Sequence, residues 1–187
     1  MATRKSFEKP KGAKPLTKQD REVTALAAKG GGPRTRGPTP ADEDAKVGSA
    51  LLAKGRVEEA LASFDDALAL DPKHMGALHG AGAALELQNA AAPNEGAVRR
   101  VLSLADRILE RTPPYALSTK VDEHRMPREA IAFAYGVKAK YAVERAKGPK
   151  DYERALAQID KALAFAADSD RPGFEATKAR ALEALGR

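Results

Sequence analysis

The sequence predicts an all-α protein: an α-solenoid of about three helix pairs and a C-terminal capping helix, preceded by a basic, largely disordered tail. Small and apolar residues recur at three- and four-residue steps from residue 41 onward, the spacing that places them on one helix face. Gly55 interrupts this pattern and Pro72 ends it, so residues 41–74 divide into two short helices. Because neither helix buries its apolar face alone, the unit predicts neighbours of the same kind.

The composition agrees with closely packed helices and excludes several classes of protein. Of the 187 residues, 43% are hydrophobic but only 5% are aromatic, and alanine and leucine supply most of the hydrophobic share. The absence of cysteine excludes disulfides, thiolate catalysis and cysteine-ligated zinc. The sequence contains no run of about 18 apolar residues, so it predicts no membrane span. The first 30 residues lack the apolar stretch of a secretory signal. We therefore expect a cytoplasmic protein.

Positive charge is concentrated in residues 1–40. This segment holds ten Lys or Arg and three Asp or Glu, a net charge of +7, whereas the remaining 147 residues hold 22 basic and 23 acidic side chains. Residues 1–14 are too polar to offset the entropy lost on ordering, which predicts disorder. The spacing of Val23, Leu26 and Ala27 predicts a short helix over residues 17–29, followed by a linker rich in glycine and proline.

The basic tail is compatible with more than one function. Contacts to phosphates would be salt-sensitive and independent of sequence, because the tail offers only charge. Its single aromatic residue, Phe7, leaves little scope for base stacking. An acidic protein, a nucleic acid and an anionic membrane are candidate partners, beside the simpler interpretation of a solubilising arm. The candidate contact residues are Arg4, Lys5, Lys9, Lys11, Lys14, Lys18, Arg34 and Arg36.

The first helix pair, predicted over residues 40–54 and 57–70, has small and large side chains at fixed positions. They are Gly48, Ala60, Phe64, Ala67 and the terminating Pro72. In this spacing residues 41–74 resemble the tetratricopeptide repeat, a 34-residue helix–turn–helix unit. Asp44 departs from the family, which favours a large aromatic residue there. The resemblance implies a curved array of helix pairs whose concave face binds other proteins.

Two further units and a cap follow the first pair. Residues 75–115 repeat the pattern, but the second helix starts seven residues late, and we place the extra residues in a loop at 89–96. In residues 129–169 the second helix also starts seven residues late, but no residue breaks the first helix early. We therefore predict a first helix over 128–147 that is longer by about two turns. Residues 171–186 have one apolar and one polar face, as expected of a terminal capping helix.

The resemblance also implies which residues line the concave face. In the register of the family, the three units form a groove that is small and apolar, suited to an amphipathic helix or an extended peptide. Its predicted lining consists of Ser49, Leu52, His79, Ala83, Glu86, Phe133, Val137 and Lys140. The basic clamp with which some family members bind the acidic C-terminus of chaperones is missing, since the first repeat has Ala45 and Ser49 there.

No set of residues predicts a catalytic, cofactor-binding or metal-binding site. His79 lacks a carboxylate partner at helical spacing, so we expect it to pack or to contact a partner rather than to catalyse. His124 with Asp122 and Glu123 matches no rigid metal site and is more simply a solvated loop. The glycines of residues 76–82 lack the Gly-Lys-Ser/Thr sequence of a phosphate-binding loop.

We therefore expect a non-enzymatic scaffold or adaptor that binds a partner helix or peptide in the concave groove. The alternative is a factor associated with nucleic acid or a ribonucleoprotein and anchored by the basic tail. Its binding would weaken steeply with salt, because it would depend on charge alone. Neither function requires a cofactor.

Overall fold

The computed structural model describes residues 37–112 and 128–187, which form seven α-helices and no strand. The helices are α1 (Pro40–Ala53), α2 (Val57–Leu70), α3 (Met75–Ala91), α4 (Glu95–Arg111), α5 (Arg128–Glu144), α6 (Pro149–Phe165) and α7 (Arg171–Ala184). The prediction of an all-α protein is confirmed for this part of the chain. The predicted helix over residues 17–29 and the segment containing His124 lie outside the described residues.

Capping and helix-breaking residues determine the two ends of α1. The Thr39 hydroxyl accepts a hydrogen bond from the Asp42 N–H at 3.2 Å, and the Asp42 carboxylate accepts one from the Thr39 N–H at 2.8 Å. This capping box satisfies two backbone donors that a helix start leaves free. Pro40 follows at the first turn, where its missing N–H costs nothing. After the helix, Gly55 has a φ of +75°, a left-handed conformation that a Cβ would disfavour.

The extra residues of the second unit lengthen both of its helices, so the loop predicted over residues 89–96 is confined to residues 92–94. α3 and α4 have 17 residues each, against 14 in each of α1 and α2, and only residues 92–94 connect them. Alanines continue α3 because alanine has the highest helix propensity, and Pro93 prevents further extension. Asn94 then caps α4 by accepting a hydrogen bond from the Gly96 N–H at 2.7 Å.

The third unit is lengthened in the same way, and the prediction of two extra turns in its first helix is wrong. α5 ends at Glu144, and both α5 and α6 have 17 residues. Compared with α1 and α2, each helix has gained about one turn. Gly148 and Pro149 mark the boundary, because Pro149 occupies the first turn of α6, where proline is favoured.

The second helix of each pair contributes the same pattern of buried residues. In α2, α4 and α6, residues at positions i, i+4 and i+7 form one stripe on the helix surface. All are 0% exposed: Ala60, Phe64 and Ala67, then Val101, Ala105 and Ile108, then Ala155, Ile159 and Ala162. Each of these helices packs against the helix before it and the helix after it. The repeated stripe therefore joins each pair to the next.

The first helices of the successive pairs also contact one another. α1 packs against α3, α3 against α5, and α5 against α7. Ten residues of α5 are buried, and this helix packs against α3, α4, α6 and α7. α5 is therefore the central element of the described fold, and its surface between α3 and α7 holds the candidate site.

Candidate functional site

An apolar groove of about 400 Å³ lies on the row formed by α3, α5 and α7, and is termed the apolar groove below. Its lining residues are Ala83, Glu86 and Leu87 from α3, Phe133, Gly136, Val137 and Lys140 from α5, and Gly173, Phe174 and Thr177 from α7. Five of the eight predicted groove residues are among them, namely Ala83, Glu86, Phe133, Val137 and Lys140. Leu87 is 51% exposed, so the groove presents a large apolar side chain to solvent.

Two phenylalanine rings of this site lie directly against glycines of a neighbouring helix. The Phe133 ring packs on Gly82 of α3, where an added Cβ would come within 2.6 Å of the Phe133 Cε1 atom. The Phe174 ring packs on Gly136 of α5 and occupies the space that a Cβ would need. Because these glycines have no side chain, the helices approach closely enough for both rings to line the groove.

A polar network joins α3 to α5 beside the apolar groove. The Glu86 carboxylate accepts hydrogen bonds from the Lys140 Nζ at 2.6 Å and from the Tyr141 hydroxyl. The Asn89 amide donates to the same hydroxyl at 3.3 Å. Burial raises the pKa of Tyr141 and the Glu86 charge raises it further, so the phenol remains a donor. Lys140 is 37% exposed and has three N–H donors, of which Glu86 uses one.

A second cavity, of about 550 Å³ and termed the acidic pocket below, adjoins the groove near the N-terminal ends of α5 and α7. It shares Phe133, Gly173 and Phe174 with the groove. Its other lining residues are His79, Glu129, Ala167, Ser169 and Asp170. The His79 and Phe133 rings form a tilted aromatic pair, with 5.1 Å between ring centroids and an interplanar angle of 60°.

Burial controls the protonation of His79. Desolvation lowers the pKa of its imidazole below the ordinary value of 6.5, while the carboxylates of Glu129 and Asp170 act in the opposite direction. The ring is therefore neutral at neutral pH. These two acids come from the start of α5 and from the residue before α7. Helical spacing within α3 could not reveal them.

Three predicted groove residues do not line the apolar groove: His79 on α3 lines the acidic pocket instead, and Ser49 and Leu52 lie on α1. Ser49 is exposed, and its hydroxyl donates a hydrogen bond to the Ala45 carbonyl at 2.9 Å. Leu52 is half-buried and packs against the core. The apolar groove is centred further along the chain than predicted, because α7 supplies one of its walls.

Several lining residues were not predicted from the sequence. Leu87 and Thr177 follow no strong pattern, and Phe174 was expected only to face the core of a capping helix. A signal did exist, because Gly82 with Phe133 and Gly136 with Phe174 are pairs of one small and one large residue. Such pairing is recognisable only once the contacts between α3, α5 and α7 are known.

The remaining sequence predictions concern ions, membranes and the tail. Within residues 37–112 and 128–187, no helix has the length and apolarity to cross a membrane, and no three His, Cys, Asp or Glu side chains group as metal ligands. The tail cations from Arg4 to Arg36 lie outside the described residues. Comparison of the chain with protein-family models and with curated proteins gives no match.

Proposed function

We propose that this protein is a non-enzymatic scaffold or adaptor of the tetratricopeptide-repeat type, which binds a helix or extended peptide of a partner protein in the apolar groove. Three features support the repeat. The buried stripe recurs in α2, α4 and α6, consecutive helices pack in sequence order, and the first helices form a row. Stacked helix pairs that contact mainly their neighbours are typical of α-solenoids.

The apolar groove is the observation that carries the proposal. Leu87, Phe133 and Phe174 offer apolar surface to a ligand, and burial of such surface contributes about 25 cal/mol per Å². Lys140 adds N–H donors beside this surface, which allows a directional contact to a backbone carbonyl or a carboxylate. An amphipathic helix, or an extended peptide with large apolar side chains, has the complementary chemistry.

The proposal is tested with peptides selected by display on the full chain, whose affinities are then measured by fluorescence anisotropy. We expect Leu87→Glu to weaken binding by about tenfold or more, because the partner would have to cover a carboxylate instead of an apolar side chain. Circular dichroism should show an unchanged helix content, since Leu87 is half exposed.

Val47→Glu is the matched control for this experiment. Val47 lies on α1, does not line the groove, and is 52% exposed against 51% for Leu87. We expect Val47→Glu to bind the selected peptides with the same affinity as the wild type. Unchanged affinity in Leu87→Glu, or equal losses in both variants, would show that peptides bind elsewhere.

Association with nucleic acid through the basic tail is the second candidate function, favoured by the net charge of +7 over residues 1–40. It predicts an affinity for duplex nucleic acid whose logarithm falls with the logarithm of salt concentration, with a slope of about −0.9 per phosphate contacted. Replacement of the eight candidate tail cations by glutamine should abolish this binding, whereas Leu87→Glu should not change it. Binding that does not respond to salt would exclude this function.

A further inference from the structure

The acidic pocket is lined by carboxylates without a lining cation, whereas in the adjoining apolar groove Glu86 pairs with Lys140. Phe133, Gly173 and Phe174 belong to both cavities, so one ligand can occupy the two together. The pocket volume of about 550 Å³ lies within the roughly 300–1,000 Å³ of small-ligand sites. Glu129 and Asp170 line it, and among the described residues no Lys or Arg does.

The arginines at the first positions of α5 and α7 are engaged in other contacts. Arg128 donates a hydrogen bond to the Ala164 carbonyl at 3.1 Å, and its guanidinium lies over the Phe165 ring at 6.0 Å from the centroid. Arg171 pairs with Asp168 at 3.5 Å. Neither arginine lines the pocket or forms an ion pair with its carboxylates.

The two pocket carboxylates are left without cationic partners in the part of the chain that the structure describes. Neither Glu129 nor Asp170 belongs to any of the ion pairs found there. Asp170 accepts a hydrogen bond from the neighbouring Ser169 hydroxyl at 3.2 Å, which leaves its charge in place.

Stabilisation of helix N-termini is the simplest alternative role for these carboxylates. Glu129 lies in the first turn of α5, and Asp170 is the residue before α7. A helix N-terminus carries about half a positive charge, so two of them offset about one of the two negative charges. Roughly one negative charge then remains. Asp170 also makes no side-chain capping hydrogen bond, so capping does not occupy its carboxylate.

Aromatic side chains line the same cavity as the carboxylates. The faces of the Phe133 and Phe174 rings carry partial negative charge and attract cations. His79 contributes no competing positive charge, because burial keeps its imidazole neutral. The combination suits a long side chain whose apolar stem packs along the rings while its cationic end reaches the carboxylates.

We propose that the acidic pocket receives a lysine or arginine side chain from the same partner segment that fills the apolar groove. The inference rests on the proposed function and adds the partner's chemistry, which is a basic residue beside a large apolar one. In a helical partner the two residues would be three or four positions apart, because that spacing places them on one face.

Peptides selected by display on the full chain are the probes for this inference. Each selected peptide is resynthesised with its basic residue replaced by glutamine, and separately with its largest apolar residue replaced by alanine. On the wild-type protein, we expect the glutamine replacement to weaken binding by about tenfold. On the Glu129→Gln/Asp170→Asn variant, the same replacement should change affinity by less than about twofold, because the two sets of changes remove the same interaction.

The control variant is Glu175→Gln/Glu183→Gln, which removes the same charge from exposed positions of α7 outside the pocket. On this variant, the glutamine replacement in the peptide should keep its tenfold effect on affinity. The alanine replacement should still weaken binding to the pocket variant, which would show that its groove is intact. Selected peptides that lack a basic residue, or a tenfold effect that persists in the pocket variant, would overturn the inference alone. A library that yields no peptide sensitive to Leu87→Glu would contradict the proposed function itself.

Discussion

Gly136 sets the distance between α5 and α7, because the Phe174 ring occupies the place of its missing Cβ. Alanine in a helix interior is ordinarily more stable than glycine by roughly 0.5–1 kcal/mol. Here the added methyl group would displace the ring, and overpacking costs about 1–3 kcal/mol. We expect Gly136→Ala to lower the free energy of unfolding by about 1 kcal/mol, measured by urea denaturation.

The control for this substitution is Gly173→Ala. Gly173 is also helical, but apart from its chain neighbours and its own helix backbone, no described atom lies within 4 Å of the position of an added Cβ. The substitution should therefore stabilise the protein by about 0.4–1 kcal/mol, chiefly by restricting the unfolded chain. If both alanine variants were stabilised equally, the Phe174 ring would have to move aside without cost.

His79 makes stability depend on pH in a direction that follows from its lowered pKa. The unfolded chain binds a proton on this residue more readily than the folded chain does. The contribution of the neutral His79 ring to the free energy of unfolding is therefore complete above pH 6.5. It is lost as the pH falls from 6.5 through the lower pKa of the folded state. We expect wild type to lose stability relative to His79→Leu over this range, measured by urea denaturation at several pH values. A difference that is constant with pH would mean that the pKa of His79 is not shifted.

At the scale of a single helix, the start of α1 depends on the hydroxyl of Thr39. This hydroxyl accepts from the Asp42 N–H at 3.2 Å, and loss of a helix cap of this kind costs about 1 kcal/mol. We expect Thr39→Ala to lower the midpoint of urea unfolding accordingly, while Thr39→Ser, which keeps the hydroxyl, should remain close to wild type. Equal stability of the two variants would show that the hydroxyl contributes nothing.

The same cap predicts how α1 responds to acid. The Thr39 N–H, followed by His74 and the Thr39 hydroxyl, lowers the pKa of Asp42 to about 2. The stabilisation by this carboxylate is therefore complete above its ordinary pKa of 3.8 and is lost as the pH falls toward 2. Asp42→Asn should lack this acid-dependent loss, measured as helix content during acid titration. An identical titration of the two proteins would contradict the lowered pKa.

Helix positions were predictable wherever a residue with a strong local preference marks the boundary. Gly55 and Pro72 gave the ends of α1 and α2, and the capping box of Thr39 could have been recognised as well. The failure at residues 89–96 has a physical cause. Several alanines stand there among loop-forming residues, and single-sequence patterns do not decide whether the helix or the loop is favoured. Packing of α3 against α4 stabilises the longer helices.

At the scale of the whole molecule, the position of the site was less predictable than its apolar character. Five groove residues followed from the register of three repeats, but the walls from α7 did not. The acidic pocket combines His79, Glu129 and Asp170, which belong to three separate parts of the chain. Their proximity depends on how α3, α5 and α7 pack, and no short-range pattern contains that information.

The packing order of the helices predicts a gradient of local stability. α5 packs against α3, α4, α6 and α7, whereas α7 packs only against α5 and α6 among the described helices and buries Ala181 alone. We expect native-state hydrogen exchange to be slowest in α5 and fastest in α7, since helical arrays open from their less supported elements. Equal protection of all seven described helices would show that they open as one unit.

The wall that α7 adds to the groove has a consequence for the newly made chain. α5 ends at Glu144 and α7 at Ala184, so 40 further residues must be translated before the groove is complete. At roughly 5–20 residues per second, the ribosome needs about 2–8 seconds to add them. During that interval Gly136 has no Phe174 ring against it, and one wall of the proposed binding surface is missing. Capture of a ligand that needs all three walls thus begins only after the synthesis of α7.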